Sequence, residues 1–134
     1  MTGFPKVGEI FCQRFKLLEE LGAGGVGCVF KALQLDAERH LAIKIIHAEI
    51  SGDPEFRERA VRESKALAKL SHSGIVQIYH IGQSEEGLIY LAMELVDGKS
   101  LRKLLNECGG KLDTLEAVKL TREIANTLQY VHEN

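Results

Sequence analysis

Residues 41–47 read LAIKIIH, a run of aliphatic residues that is interrupted by a single lysine, Lys44. Consecutive aliphatic and β-branched residues predict a strand that is largely buried. An ammonium group in such a strand is costly to bury unless another charged or polar group meets it. The fold and the function therefore turn on which group lies next to Lys44.

The segment after this strand supplies one candidate, the carboxylate of Glu63. Asp53 as N-cap and Pro54 at the first helical position predict a helix over residues 54–70. Its apolar face has one gap, which Glu63 fills, and it is formed by Phe56, Ala60, Leu67 and Leu70. We expect Lys44 and Glu63 to form a partly buried ion pair between strand and helix. Such a pair can equally be a purely structural feature.

Residues 21–32, LGAGGVGCVFKA, precede the lysine strand and contain a cluster of glycines. Glycine lets backbone N–H groups approach a ligand closely, which suits phosphate oxygens, although tight hairpins also favour glycine. Gly27 leads into CVFKA, whose alternating pattern predicts a strand. The cluster therefore joins two strands and does not open a helix, as it would in a dinucleotide-binding fold. No lysine of the P-loop type follows it.

The remaining pattern predicts an antiparallel sheet with segregated helices, an α+β fold. Strands are predicted over residues 14–21, 28–34, 39–47, 75–82 and 87–95, and a short helix over residues 100–106. A last helix follows a predicted capping box of Asp113 and Glu116. Its predicted buried stripe consists of Leu115, Val118, Ile124, Leu128 and Val131.

Composition limits the classes of partner. The 134 residues are 45% hydrophobic and carry 17 Lys+Arg against 19 Asp+Glu, a balance that gives no basis for nucleic acid or an anionic membrane surface as partner. Cys12, Cys28 and Cys108 form no close pair, so we expect neither a disulfide framework nor a metal site. No signal sequence and no membrane-spanning segment is recognisable, and we expect a cytoplasmic setting.

Together these motifs resemble the N-terminal lobe of a eukaryotic-type protein kinase, and most closely that of bacterial Ser/Thr protein kinases. Gly22, Gly24, Gly27 and Val29 match the glycine-rich loop of the family, LAIK matches its Val-Ala-Ile-Lys strand, and YLAMELVDGKSL (90–101) resembles its hinge. The resemblance covers about residues 14–134. It implies an N-terminal extension over 1–13, a five-stranded kinase N-lobe with helix C over 14–96, and the hinge end with the first C-lobe helices over 97–134.

The resemblance also implies a site for ATP. Lys44 would hold the α- and β-phosphates, and Glu63 would be its helix-C partner. Leu21, Val29 and Ala42 would enclose the purine, the hinge backbone at Glu94 and Val96 would bind adenine, and Ser100 would lie near the ribose. The full set of implied nucleotide-binding residues is Leu21, Gly22, Ala23, Gly24, Gly25, Val26, Gly27, Cys28, Val29, Ala42, Lys44, the gatekeeper Met93, Glu94, Val96 and Ser100.

The sequence has no His-Arg-Asp, Asp-Phe-Gly or Ala-Pro-Glu motif. Phosphoryl transfer in this family needs a base near the substrate hydroxyl and ligands for Mg²⁺, which those motifs supply. We therefore expect an inactive first part of a Ser/Thr kinase domain, whose parent transfers the ATP γ-phosphate to a protein that the sequence does not identify. The alternative is a short non-catalytic nucleotide-binding or protein-interaction module of pseudokinase type.

Overall fold

The computed structural model describes residues 4–134. These residues form two compact units. The first unit comprises the residues up to Lys69 together with Val76–Leu95, and the second comprises Leu70–Ile75 together with Val96–Asn134. The first unit contains the sheet and two helices, α1 (Ala48–Ser51) and α2 (Pro54–Ala68). The second contains α3 (Leu101–Glu107) and α4 (Thr114–Glu133).

The described part of the first unit forms one six-stranded antiparallel sheet. Its strands are β1 (Ile10–Phe11), β2 (Phe15–Ala23), β3 (Gly27–Gln34), β4 (Arg39–Ile46), β5 (Ile78–Gln83) and β6 (Ile89–Met93). They are arranged in the order β1-β2-β3-β4-β6-β5, and every neighbouring pair is antiparallel. The predicted α+β class with an antiparallel sheet is confirmed. The prediction of five strands missed β1, because two residues carry no periodicity.

One face of the sheet, here called the core face, carries the hydrophobic core. Alternation along β4 places Leu41, Ile43 and Ile45 on this face, and all three are fully buried. Phe30 of β3 lies opposite Ile43 in the register, so that its ring joins the same layer. The opposite face of β4 carries Ala42, Lys44 and Ile46 and is here called the lysine face. Burial on both faces explains why this strand is almost continuously apolar.

β2 is the irregular strand of the sheet. Its register with β3 shifts twice, between Leu17 and Glu19 and again between Glu20 and Gly22. Such bulges place an extra residue on one strand, bend it and increase its local twist. The residues of β2 from Glu19 onward are exposed, whereas Phe15 and Leu17 are in the core. The core therefore anchors only the first half of β2.

α2 begins as the sequence predicts. Asp53 is its N-cap, the Asp53 side chain accepts a hydrogen bond from the backbone N–H of Glu55 at 3.1 Å, and Pro54 occupies the first turn. Within the first unit the helix packs against β5 and α1. Ser64 is its one buried residue, and Leu67 of the predicted apolar face is 45% exposed. The helix is therefore held by a small contact.

A buried serine ties this helix pair to the sheet. The Ser51 hydroxyl donates to the carbonyl of Ile46 and accepts from the backbone N–H of Ile89, each at 3.1 Å. The guanidinium of Arg57 donates twice to the Ser51 carbonyl, at 3.0 and 2.9 Å. One residue thereby satisfies polar groups at the ends of two strands and joins α2 to α1.

In the second unit the turn Leu70–Ile75 packs against α4. The backbone N–H of Ser71 donates to the Tyr130 hydroxyl at 3.0 Å, and the His72 and Tyr130 rings lie 4.9 Å apart. A Cβ at Gly74 would stand 2.1 Å from Oγ1 of Thr127, so a larger residue there would displace the Thr127 side chain. The sequence offered no reason for this glycine.

Two predictions for α4 are wrong. Asp113 is the N-cap residue, but its side chain makes no capping hydrogen bond. The predicted buried stripe is largely exposed, with values of 61%, 57%, 50% and 50% for Leu115, Val118, Ile124 and Leu128. The helical periodicity identified the apolar face correctly, but nothing in this unit covers it. None of the helices among residues 4–134 combines the length and the apolar character that crossing a bilayer requires.

The close approach of β3 to β4 at Gly27 gives a first prediction. A Cβ at this position would lie 2.1 Å from the carbonyl oxygen of Ile45, which is backbone and cannot rotate away. We expect Gly27→Ala to lower the free energy of unfolding by about 2 kcal/mol or more. Gly25→Ala, whose Cβ meets no atom within 4 Å, is the matched control and should change it by less than about 0.5 kcal/mol. Urea unfolding measures both, and equal effects of the two substitutions would contradict the packing argument.

Candidate functional site

The glycine cluster forms the turn between β2 and β3. The backbone N–H of Gly24 donates to the carbonyl of Gly27 at 3.0 Å, which closes the turn. Gly22, Gly24 and Gly25 are exposed, have no atom within 4 Å of the position of a Cβ, and none of them has a positive φ. The predicted hairpin is therefore present, and these three glycines leave open space rather than relieve backbone strain.

Some backbone N–H groups of the turn form no hydrogen bond within the described part of the chain. Among residues 4–134 no hydrogen-bond acceptor is found for the backbone N–H groups of Gly25 and Val26. The carbonyls of Gly24 and Val26, in contrast, both accept hydrogen bonds from His47. Successive unpaired N–H groups in an exposed turn are suited to binding an anion.

The lysine face gathers several of the predicted site residues. In the register of β3 with β4, Val29 lies opposite Lys44, and in the register of β4 with β6, Ala42 lies opposite Met93. Directly paired residues of antiparallel strands project on the same face. Lys44 is partly buried there and forms no ion pair with any residue of the described range 4–134. The face thus combines a cationic group with apolar surface beside the glycine turn.

The expected ion pair between Lys44 and Glu63 is not formed. Within residues 4–134, the only side-chain ion pairs within 4.0 Å are Arg14–Asp36 and Lys99–Glu107, and Glu63 is exposed. α2 packs on β5 rather than on β4, so its carboxylate stays in water. The Glu63 carboxylate therefore incurs no burial cost that a pair with Lys44 would have to offset.

Of the remaining predicted residues, three lie at the glycine turn and three follow β6. Leu21 and Val26 are 48% and 41% exposed, and Ala23 pairs with Cys28 at the base of the turn. After β6, the backbone N–H of Glu94 donates to the carbonyl of Gln77 at 2.8 Å, while the Glu94 carbonyl accepts from no described residue. In the second unit, Val96 is 62% exposed and the Ser100 hydroxyl caps α3 by accepting from the N–H of Lys103 at 3.2 Å.

The thiol of Cys28 lies beside the glycine turn. Its Sγ is 3.9 Å from Oε1 of Glu20. Partial burial, and then the charge and hydrogen bond of the Glu20 carboxylate, raise the pKa of the Cys28 thiol above its ordinary value. This thiol is therefore protonated at neutral pH and a poor nucleophile, in keeping with its interpretation as a small strand residue.

The contact of His47 with the glycine turn was not predicted from the sequence. It follows LAIKII directly, and nothing in its spacing from the other histidines predicts a ligand or a catalytic role. A polar residue just beyond a buried strand, in register with the preceding hairpin turn, is the signal that could have identified it. No group of three or more His, Cys, Asp or Glu residues suited to a metal ion occurs in residues 4–134.

Comparison with known proteins identifies the class. The profile of the protein kinase domain family matches residues 15–134, and the chain belongs to this family. It is 35% identical over 128 residues to a probable serine/threonine-protein kinase of Clostridium acetobutylicum and 35% identical over 132 residues to PknA of Mycobacterium tuberculosis. Each alignment covers 96% of this chain but only 19% and 30%, respectively, of the relative.

Solved structures agree with this class. The crystal structure of a cysteine-to-alanine variant of the Mycobacterium tuberculosis PknI kinase domain matches with a TM-score of 0.82 at 25% identity. The match covers 98% of this chain and 53% of that one. The chain therefore has the fold of about half a kinase domain and spans less than a third of the two kinases named above.

The environment of Cys28 gives a second prediction. Replacing Glu20 by glutamine removes the charge that helps to raise the pKa of Cys28, so that more thiolate is present at a given pH. We expect Glu20→Gln to increase the rate of Cys28 alkylation by iodoacetamide at pH 8 severalfold. Peptide mass spectrometry separates this site from Cys12 and Cys108. Glu19→Gln serves as control, and an equal increase in that variant would contradict the assignment.

Proposed function

We propose that this chain is the ATP-binding part of a protein Ser/Thr kinase. The observation that carries the proposal is that the β2–β3 turn, whose Gly25 and Val26 N–H groups have no acceptor among residues 4–134, leads into the strand on which Val29 lies opposite Lys44. An ammonium group and free amide donors together suit the oxygens of a polyphosphate. Membership of the kinase family supports the same conclusion.

In this proposal the purine lies against the apolar part of the lysine face. Val29 and Ala42 line one side of it together with Leu21, and Met93 acts as gatekeeper at the end of β6. The Glu94 carbonyl, which accepts no hydrogen bond from the described residues, is available to the adenine amino group. The roles of Val96 and Ser100 stay predictions from the family resemblance.

Glu63 stays the predicted partner of Lys44. Its place in the sequence supports this role, and its exposure in the structure means that α2 would have to approach β4 for the pair to form. That Ser64 is the one buried residue of α2 supports a helix that can be displaced toward β4.

Catalysis is assigned to the whole protein and not to these 134 residues. Mg²⁺ is expected in kinase catalysis, but the described residues offer no cluster of carboxylates that fits it. The sequence likewise has no His-Arg-Asp motif that would supply a base. We infer that further residues of a longer protein provide both, and that this protein phosphorylates protein hydroxyl groups.

A non-catalytic interaction module is the second candidate. One observation favours it, namely the exposed apolar stripe of α4 formed by Leu115, Val118, Ile124 and Leu128. Contiguous exposed apolar surface commonly marks an interaction site. In the kinase proposal the same stripe is covered by the rest of the catalytic domain. Binding of ATP that depends on Lys44 separates the two candidates, since an interaction module does not require it.

Substitution of Lys44 tests the nucleotide site. We expect Lys44→Met to weaken ATP binding by about 10-fold or more, because hydrogen bonds to a charged group contribute roughly 1.5–3 kcal/mol. Isothermal titration calorimetry of the 134-residue chain measures the affinity. Lys16→Met, an exposed lysine of β2, is the matched control and should bind like the wild type. Equal affinities of wild type and Lys44→Met would refute the proposed role of this residue.

Phosphoryl transfer tests the assignment of catalysis. With Mg²⁺, radiolabelled ATP and a generic protein substrate, we expect no phosphate transfer by the 134-residue chain, because neither a catalytic base nor metal ligands are present. Turnover that is abolished by Lys44→Met would contradict this expectation. Turnover that persists in the variant would point to a contaminating kinase.

A further inference from the structure

His47 makes two hydrogen bonds to the glycine turn that the proposed function leaves unused. Its backbone N–H donates to the carbonyl of Val26 at 2.9 Å. Its ring nitrogen Nε2 lies 3.1 Å from the carbonyl of Gly24. Because a carbonyl only accepts, Nε2 carries the proton and donates. The tip of the hairpin is therefore attached to the end of β4 through one residue.

The His47 ring lies on the core face of the sheet. His47 directly follows β4, which ends at Ile46, and its position in the alternation is that of Ile43 and Ile45, whereas Lys44 projects to the opposite face. The ring stands 4.9 Å from that of Phe4 and lines a cavity of about 720 Å³ together with Phe4, Phe11 and Leu88. Phe11 and Leu88 also belong to the core cluster. Packing of the ring thus fixes the direction from which Nε2 reaches the turn.

The contact of the His47 ring with the Gly24 carbonyl determines where one amide of the turn points. In a planar trans peptide the C=O and the following N–H point in opposite directions, and the described chain contains no cis peptide. Turning the Gly24 carbonyl toward His47 therefore turns the N–H of Gly25 away from the core face. The N–H of Gly25 is thereby directed toward the face that carries Lys44.

We propose that His47 is a positioning residue for nucleotide binding: its side chain fixes the Gly24–Gly25 peptide so that the amide of Gly25 meets the phosphates beside Lys44. This inference deepens the proposed function and rests on it. The backbone bond to Val26 survives any substitution at position 47 other than proline, so the side chain contributes specifically to the orientation of the Gly25 amide. The residue contacts the turn and not the nucleotide.

Two substitutions separate the hydrogen bond from the bulk of the side chain. His47→Leu keeps an apolar side chain beside Phe4 but removes the donor, whereas His47→Gln keeps an N–H donor at a similar reach. His40→Leu, an exposed histidine at the start of β4, is the matched control. We expect His47→Leu to weaken ATP binding by about 5-fold, the equivalent of one ordinary hydrogen bond, and the other two variants to bind like the wild type.

The affinity for adenosine distinguishes a positioning role of His47 from a general structural role. It has no phosphates, so its affinity should be the same in wild type and His47→Leu, and the ratio of ATP to adenosine affinity should fall by the same factor of about 5. Equal losses for both ligands would overturn the inference, because they would indicate a general distortion of the site. Failure of His47→Gln to restore the ATP affinity would also overturn it.

Backbone dynamics test the inference without nucleotide. We expect the ¹⁵N order parameter of Gly25 to fall in His47→Leu and to stay at the wild-type value in His47→Gln. An unchanged value in His47→Leu would overturn the inference. If the wild-type chain binds no ATP and Gly25 nevertheless loosens in His47→Leu, the proposed nucleotide function fails while the attachment of the turn by His47 is upheld.

Discussion

The pairing of β3 with β4 is the interaction on which the rest of the structure depends. It runs without irregularity from Gly27 opposite Ile46 to Gln34 opposite Arg39. At its beginning the two backbones approach so closely that Gly27 has no room for a Cβ beside the carbonyl of Ile45. This contact sets the register, and the register in turn sends Phe30 and Ile43 into the core and Lys44 to the other side, opposite Val29.

The same pairing separates two tasks between the faces of one sheet. The core face gathers the large apolar side chains and supplies stability, because removal of apolar surface from water is the main favourable term in folding. The lysine face carries the proposed ligand chemistry. His47 follows the end of β4, lines the core cavity and contacts the glycine turn. In our proposal, packing on the core face thereby restrains the backbone of the turn.

Elements with a repeating physical signal could be predicted from the sequence. The hydrophobic runs of β3 and β4, the glycine turn between β2 and β3, and the N-cap of α2 at Asp53 all follow from local chemistry. β1 has two residues and α1 has four, which is too short for any periodicity. Gly74 is likewise unpredictable, because its reason is the Thr127 side chain of a helix far along the chain.

The errors in the site have a common origin. Periodicity states which residues share a face, but not what that face meets. It therefore placed Glu63 on the correct helix without revealing that α2 packs on β5, and it grouped the apolar residues of α4 without revealing that they stay exposed. The grouping of Val29 with Ala42 and Lys44, in contrast, came from the family resemblance, and in the structure Val29 lies opposite Lys44. His47 was missed because its role depends on a single contact across the hairpin.

The two register shifts of β2 have a consequence for variation in this chain. Because side chains alternate with a period of two, each shift reverses the face to which all later residues of the strand point. The second shift restores the alternation that the first one reverses, and the hairpin acquires its added bend before Gly22. Point substitutions in the exposed stretch from Glu19 to Leu21 leave this arrangement intact. Deleting one residue there would reverse the face to which every later residue of the strand points. The length of this segment, more than its composition, is therefore the property that related sequences would have to keep.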